Sequence, residues 1–101
     1  MLETGPAKLL DAYAQDENAL LIDLRSPKEY QSGHIYRAVN APMGQFVDGW
    51  PDRMRTLVLY CDRGAMSMAV GRKLSEQGYQ VKSVVGGFHA YRGTQIVTGQ
   101  E

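Results

Sequence analysis

The chain predicts an α/β fold with a largely parallel sheet, and three observations carry that expectation. Short apolar runs of strand type, Leu20–Leu24 (LLIDL), Leu57–Tyr60 (LVLY) and Gln80–Val85 (QVKSVV), alternate with segments of helical spacing. Glycine or proline marks most of the boundaries between them. The only cysteine, Cys61, follows directly on the clearest apolar run. That puts it at the carboxyl end of a strand, where open α/β sheets hold their ligands.

Length and composition bound the rest. A chain of 101 residues suits a single domain over 1–101. A domain of this size buries roughly 60–68% of its unfolded surface, enough for one core. Eleven basic side chains balance eleven acidic ones, and no block of like charge stands out. That argues against nucleic acid or a membrane as partner. No apolar stretch approaches the length needed to span a bilayer. The start, MLETGPAKLL, lacks a basic stretch followed by an apolar one, so no signal peptide is expected. One cysteine cannot form an internal disulfide, which fits a reducing compartment and predicts a cytoplasmic protein. Two histidines and one cysteine, widely spaced, make no metal motif.

Taken in order, Ala7–Ala14 (AKLLDAYA) has apolar residues at helical spacing. Leu20–Leu24 reads as a buried strand ending near Arg25. Ser26-Pro27-Lys28-Glu29 is a helix start, with a Ser cap, Pro at the first helical position and Glu three residues after the cap. Gly33 should keep that helix short. Ala38–Ala41 is a second strand candidate, and Met43–Asp52 reads as a loop with one helical turn. After Gly64, Met66, Ala69, Val70, Leu74 and Gln77 define a helix face, with Arg72 and Glu76 placed to pair on the outer side. Gly78 closes that helix. A tight turn at Gly86-Gly87 follows the third strand, and Phe88–Arg92 starts a last helix closed by Gly93. Residues 1–6 and 94–101 are expected to be loosely ordered ends.

The run LVLYCDRGAMSMAV implies a strand, a compact turn at Cys61 and a helix beginning near Ala65 or Met66. The first amides of that helix lack internal partners and, with the loop amides, form an anion cradle. Gly64 permits a backbone conformation closed to other residues, and the Ser67 hydroxyl is a further donor. A thiol at the mouth of such a cradle meets a positive field that favours the thiolate, the nucleophilic form. Neither His34 nor His89 has a pattern tying it to Cys61. Taken alone, a cysteine at a strand end is better explained as a small buried hydrophobe than as a reactive thiol. The Cys-x-x-Gly-x-x-Ser loop and the helix behind it favour a reactive thiol, since packing needs neither.

At these residues the chain resembles a single-domain rhodanese, a thiosulfate-type sulfurtransferase. LIDLRSPKEYQSGHI (Leu21–Ile35) resembles the family's Asp-x-Arg, Glu-Tyr and Gly-His-Ile pattern. AVNAP (Ala38–Pro42) resembles the next strand, LVLYCDRGAMS the Cys-led active loop, and LSEQGYQVKSVVGGFHAYRG the terminal strand, Gly-Gly turn and closing helix. The resemblance implies a three-layer fold with a mostly parallel central sheet of about five strands flanked by helices. It implies that Cys61 takes a sulfane sulfur from a small anionic donor such as thiosulfate, holds it as a persulfide, and passes it to cyanide or an external thiol, on a small molecule or a protein. No cofactor beyond that covalent persulfide is implied. Asp62, Arg63, Gly64, Ala65, Met66 and Ser67 would form the cradle, and Arg63 would attract the donor. Two departures stand out. Met66 occupies a position where many members carry Arg, and Tyr91 one where Trp is common, a change expected to affect packing only.

Other residues admit two readings each. Asp23 and Arg25, at the end of the first apolar strand, are either an ion pair holding the loop or supporting groups near the cradle. His34 reads as a hydrogen-bonded structural histidine rather than a proton donor, and His89 as a partly exposed one. Trp50, Phe46 and Met43 form an apolar rim over the site or a loop packed on the core. Met66 belongs at the rim or the core, and Met68 nearer solvent. Beside turnover stands a sulfur carrier or an interaction module. A cysteine phosphatase or arsenate reductase is disfavoured, because its longer cradle needs an Arg six residues after the Cys, where this chain has Ser67.

Overall fold

The computed structural model describes residues 2–45 and 53–99. Five strands form the central sheet: β1 (Leu2–Pro6), β2 (Ala19–Asp23), β4 (Val39–Asn40), β5 (Thr56–Tyr60) and β6 (Val81–Val85). Their order is β1-β6-β5-β2-β4, and every neighbouring pair is parallel. A second, two-stranded antiparallel sheet joins β3 (His34–Ile35) to β7 (Ile96–Val97).

The central strands are buried on both faces, which is why Leu20–Ile22 and Leu57–Leu59 read as unbroken apolar runs. The period of two then divides them between two cores. Leu21, Val58, Tyr60 and Val84 pack with Leu10 of α1 (Leu9–Tyr13) and Tyr30 of α2 (Pro27–Ser32). Leu20, Ile22, Leu57, Leu59 and Val81 pack with Leu74 of α3 (Ala65–Glu76). The result is the expected three layers. Among the described residues no helix is long and apolar enough to cross a membrane.

The cap at α2 forms as expected. Ser26 Oγ accepts from the Glu29 amide at 3.2 Å, and the Ser26 amide donates to Glu29 Oε1 at 3.2 Å. Such a cap contributes about 1 kcal/mol. Gly33 ends the helix.

Several expectations are corrected. Within the segment 1–6, the described residues Leu2–Pro6 are not loose: they form the edge strand β1, in register from Leu2 opposite Val81 to Pro6 opposite Val85. Its one large apolar residue, Leu2, packs into the α3-side core. Part of the 94–101 tail is likewise placed, as β7 against β3. The closing helix is only a 3₁₀ turn, Phe88–Ala90. The helical turn after Ala41 is also 3₁₀, Pro42–Gly44, while Phe46 and Trp50 lie outside the described residues. The buried face of α3 is Ser67, Gly71 and Leu74, while Met66, Ala69 and Gln77 are exposed. The reason is close approach. A Cβ on Gly71 would stand 2.9 Å from Leu2 Cδ1, so the helix seats itself through its smallest residues. The described ion pairs, Arg25–Asp23, Arg63–Asp62 and Lys82–Glu3, do not include Arg72–Glu76.

Candidate active site

β5 ends at Tyr60, Cys61 follows, and α3 begins four residues later at Ala65. Gly64 caps that helix with φ 104° and ψ −20°, a left-handed conformation that favours glycine. This fold of the loop turns the Gly64 amide onto the thiol, where it donates to Cys61 Sγ at 3.0 Å. Cys61 is buried to 5% exposure yet lines an open cleft. The sulfur thus meets a backbone donor and the positive end of a twelve-residue helix.

The loop is braced from behind by the turn after β6. Phe88 and His89 donate their amides to the carbonyls of Cys61 and Asp62, at 2.8 and 2.9 Å. Those two carbonyl dipoles are therefore engaged by the turn and not by the sulfur. The fit leaves no room for side chains: a Cβ on Gly87 would stand 2.4 Å from the Cys61 carbonyl oxygen, and one on Gly64 would stand 3.1 Å from the Gly86 nitrogen. Sequence reasoning read Gly86-Gly87 as a turn and missed this brace. The signal was present, since parallel strands β5 and β6 end side by side and bring the two glycine loops together.

The Ser67 hydroxyl does not join the cradle as a donor to sulfur. It donates to the Gly64 carbonyl at 3.0 Å and shares a 2.7 Å hydrogen bond with Ser83 Oγ, all within the protein. Burial explains the correction, because a hydroxyl at 0% exposure must find internal partners. Ser83, a polar residue inside an apolar strand, was not singled out from the sequence. Ala65 and Met66 open α3, with Met66 38% exposed on the wall of the cleft. Arg63 is not among the lining residues; its side chain is 70% exposed and lies 3.6 Å from Asp62.

Asp23 and Arg25 form a buried pair at the end of β2. Arg25 Nη2 lies 2.8 Å from Asp23 Oδ2, its Nε reaches both carboxylate oxygens, and Nη2 also donates to the Gly33 carbonyl at 2.6 Å. The guanidinium stacks 4.1 Å from the Phe88 ring centroid. Burial works against its charge, but the bonds to Asp23 outweigh that and hold Arg25 above its ordinary value. Arg25 borders the cleft, yet its fork is occupied, so the geometry favours the ion-pair reading. Burial, then the charge of Asp23, pushes the Tyr60 phenol well above the tyrosine range. That hydroxyl accepts from the Ile35 amide at 3.0 Å.

His34 is fully buried, stacked on Tyr30 at 3.7 Å, with Nδ1 2.7 Å from the Tyr30 carbonyl. It does not line the cleft, and His89 is exposed. Tyr91 does more than pack. Its hydroxyl donates to Asp11 Oδ1 at 2.5 Å and accepts from the Gln95 amide at 2.8 Å, tying the chain's end to α1. Met43 stands at the rim, 68% exposed, and Met68 is half-buried.

A protein-family model, the Rhodanese-like domain, matches residues 6–94. The chain is 36% identical over 97 residues to "Putative sulfurtransferase YtwF" of Bacillus subtilis, with 90% of each chain covered. It is 34% identical over 70 residues to thiosulfate sulfurtransferase PspE of Escherichia coli, covering 65% of this chain and 67% of that one. In three dimensions it superposes on the Rhodanese-like domain from the Anabaena sp. Alr3790 protein with a TM-score of 0.82. That match is 21% identical, over 97% of this chain and 80% of that one, a likeness of fold.

Proposed function

The chain belongs to the rhodanese-like domain family, and on that premise we propose that Cys61 ferries sulfane sulfur as a persulfide between a donor and an external acceptor. Relatives named sulfurtransferases support a transferase of this family. The observation that carries the finer reading is the 3.0 Å bond from the Gly64 amide to a thiol that lines an open cleft.

The chemistry proceeds in two displacements. The Cys61 thiolate attacks the outer sulfur of a donor such as thiosulfate. The donor's S–S bond breaks, sulfite leaves with the electron pair, and the transferred sulfur stays on Cys61. An acceptor thiolate or cyanide then attacks that outer sulfur, the bond to Sγ breaks, and the Cys61 thiolate returns. No oxidant or reductant is consumed, and the order is ping-pong. Negative charge sits on sulfur throughout, where a fixed amide and a helix N-terminus stabilise it without reorganising. Neither histidine is needed as a base, which accords with their absence from the cleft lining.

Intact mass spectrometry tests the reading. After excess thiosulfate the chain gains one sulfur atom, loses it on addition of cyanide, and gains none as Cys61→Ser. Loading that survives in Cys61→Ser overturns the mechanism, because the chain has no other cysteine. Continuous thiocyanate release separates turnover from a carrier, which loads once and waits for its partner.

A further inference from the structure

The cleft beside Cys61 has a volume of about 510 Å³. That lies in the range that encloses an organic ligand, and it far exceeds the room that the few atoms of thiosulfate occupy. Its apolar walls are Leu24, Pro27, Pro42, Met43 and Met66. Met43 is 68% exposed. Its φ of 57° and ψ of 19° are left-handed, and its amide is held on the Leu24 carbonyl at 2.9 Å. A non-glycine residue in that conformation costs about 1–2 kcal/mol, which marks a position held by its surroundings.

Charge points the same way. The charged residues lining the cleft, among those described, are Arg25, Glu29 and Asp62. Asp23 and the Gly33 carbonyl already occupy the Arg25 guanidinium. Bonds from Ser26 hold Glu29 below the usual carboxylate range, so it is ionised at neutral pH. Among the described residues the Asp62 carboxylate pairs with the exposed Arg63 at 3.6 Å, a pairing that neutralises little in water. Beyond the Gly64 amide and the α3 N-terminus at the sulfur itself, a dianion entering this cleft faces two carboxylates and no side-chain cation free of a partner among the described lining residues.

Resting on the persulfide reading above, the geometry points to charge selection at Cys61: Glu29 and Asp62 favour a small persulfide with a neutral or cationic end group over an anionic one as its sulfur-exchanging substrate. In the donor direction the Cys61 thiolate attacks the outer sulfur of RS–SH. The RS–S bond breaks, RS⁻ leaves with the electron pair, and the outer sulfur keeps its proton on Cys61. The acceptor direction is the reverse exchange. The apolar walls hold the organic body, and the two carboxylates repel an anionic one.

The test compares persulfides of one chemistry and three charges. Those of cysteamine, 2-mercaptoethanol and 3-mercaptopropionate are generated from the disulfide and sulfide and applied to the full chain. Cys61 loading is timed by intact mass, and each rate is divided by that of the same persulfide on a free-cysteine peptide, so that intrinsic reactivity cancels. The expected order is cation, neutral, anion, with a span of about fivefold at low salt. The span closes at 1 M salt, where the screening length is about 3 Å. Glu29→Gln narrows it, with Asp62→Asn as a second variant that leaves the α2 cap intact, and Met66→Arg turns it toward the anion. An anionic persulfide that matches or outruns the cationic one while Cys61 still loads overturns this inference and leaves the persulfide reading standing. If no donor loads Cys61, both fall.

Discussion

The two sides of the Cys61 loop are built in opposite ways. Behind it, small residues and backbone meet at hydrogen-bond distance: Gly86-Gly87 against the Cys61 and Asp62 carbonyls, and Ser67 against Ser83. In front, Met43 and Met66 stand exposed around a cleft, with flexible side chains and few polar partners. The rear leaves no room for variation, since a single methyl group at Gly87 collides with the loop. The front tolerates it, since methionine adapts to many shapes. On the function proposed above, the contrast gives loop shape to the rear and choice of substrate to the front.

Substitutions on either side put that division to the test. The largest effect is expected at Asp23→Asn, which leaves Arg25 buried without its counter-charge. Urea unfolding should show a loss of about 3 kcal/mol, and a loss under about 1 kcal/mol would show that the pair does not hold the loop. Gly87→Ala follows, combining a positive φ of 60° with the clash at 2.4 Å. It should cost about 2–3 kcal/mol and slow loading by every donor alike. Ser83→Ala removes one partner of Ser67 but leaves its bond to Gly64, for about 1–2 kcal/mol in the same assay. At the front, Met66→Gln should shift stability by under about 0.5 kcal/mol while changing relative rates among donors. Equal rate changes for all donors would erase the distinction between front and rear.

Alkali probes the rear without mutation. Burial foremost, then Asp23 for Tyr60 and the Asp11 bond for Tyr91, pushes both phenols up. Each therefore holds its proton more tightly folded than unfolded. The stability this contributes is complete below the unfolded tyrosine value near 10 and is lost as pH rises past it. The urea midpoint should fall from about pH 9 to about pH 11, and less steeply in Tyr91→Phe.

Where one face of a residue decides its role, the sequence was readable. Leu57–Tyr60, Cys61, the Ser26 cap and the Gly64 turn follow from apolar runs and backbone chemistry that are local. What escaped depends on partners distant in the chain. β1 is a strand because β6 pairs with it across nearly the whole length of the molecule, and LETGP carries only Leu2 as a sign. The α3 face was mistaken because apolar periodicity counts Met66 and Ala69 but passes over Ser67 and Gly71, whose small size allows the approach. The Tyr91 hydroxyl found Asp11, eighty residues away, a contact no spacing announces.

The hydrogen bond from the Phe88 amide to the Cys61 carbonyl has a use beyond support. It gives Cys61 a reporter outside the cleft, on a backbone proton that carries no side-chain chemistry of its own. In the proposed cycle, any adjustment of the Cys61 peptide on loading of Sγ would pass to the Phe88 and His89 amides as a change in their NMR chemical shifts and solvent-exchange rates. Those two resonances can follow the loop through a reaction cycle without a label on the thiol or a probe in the cleft.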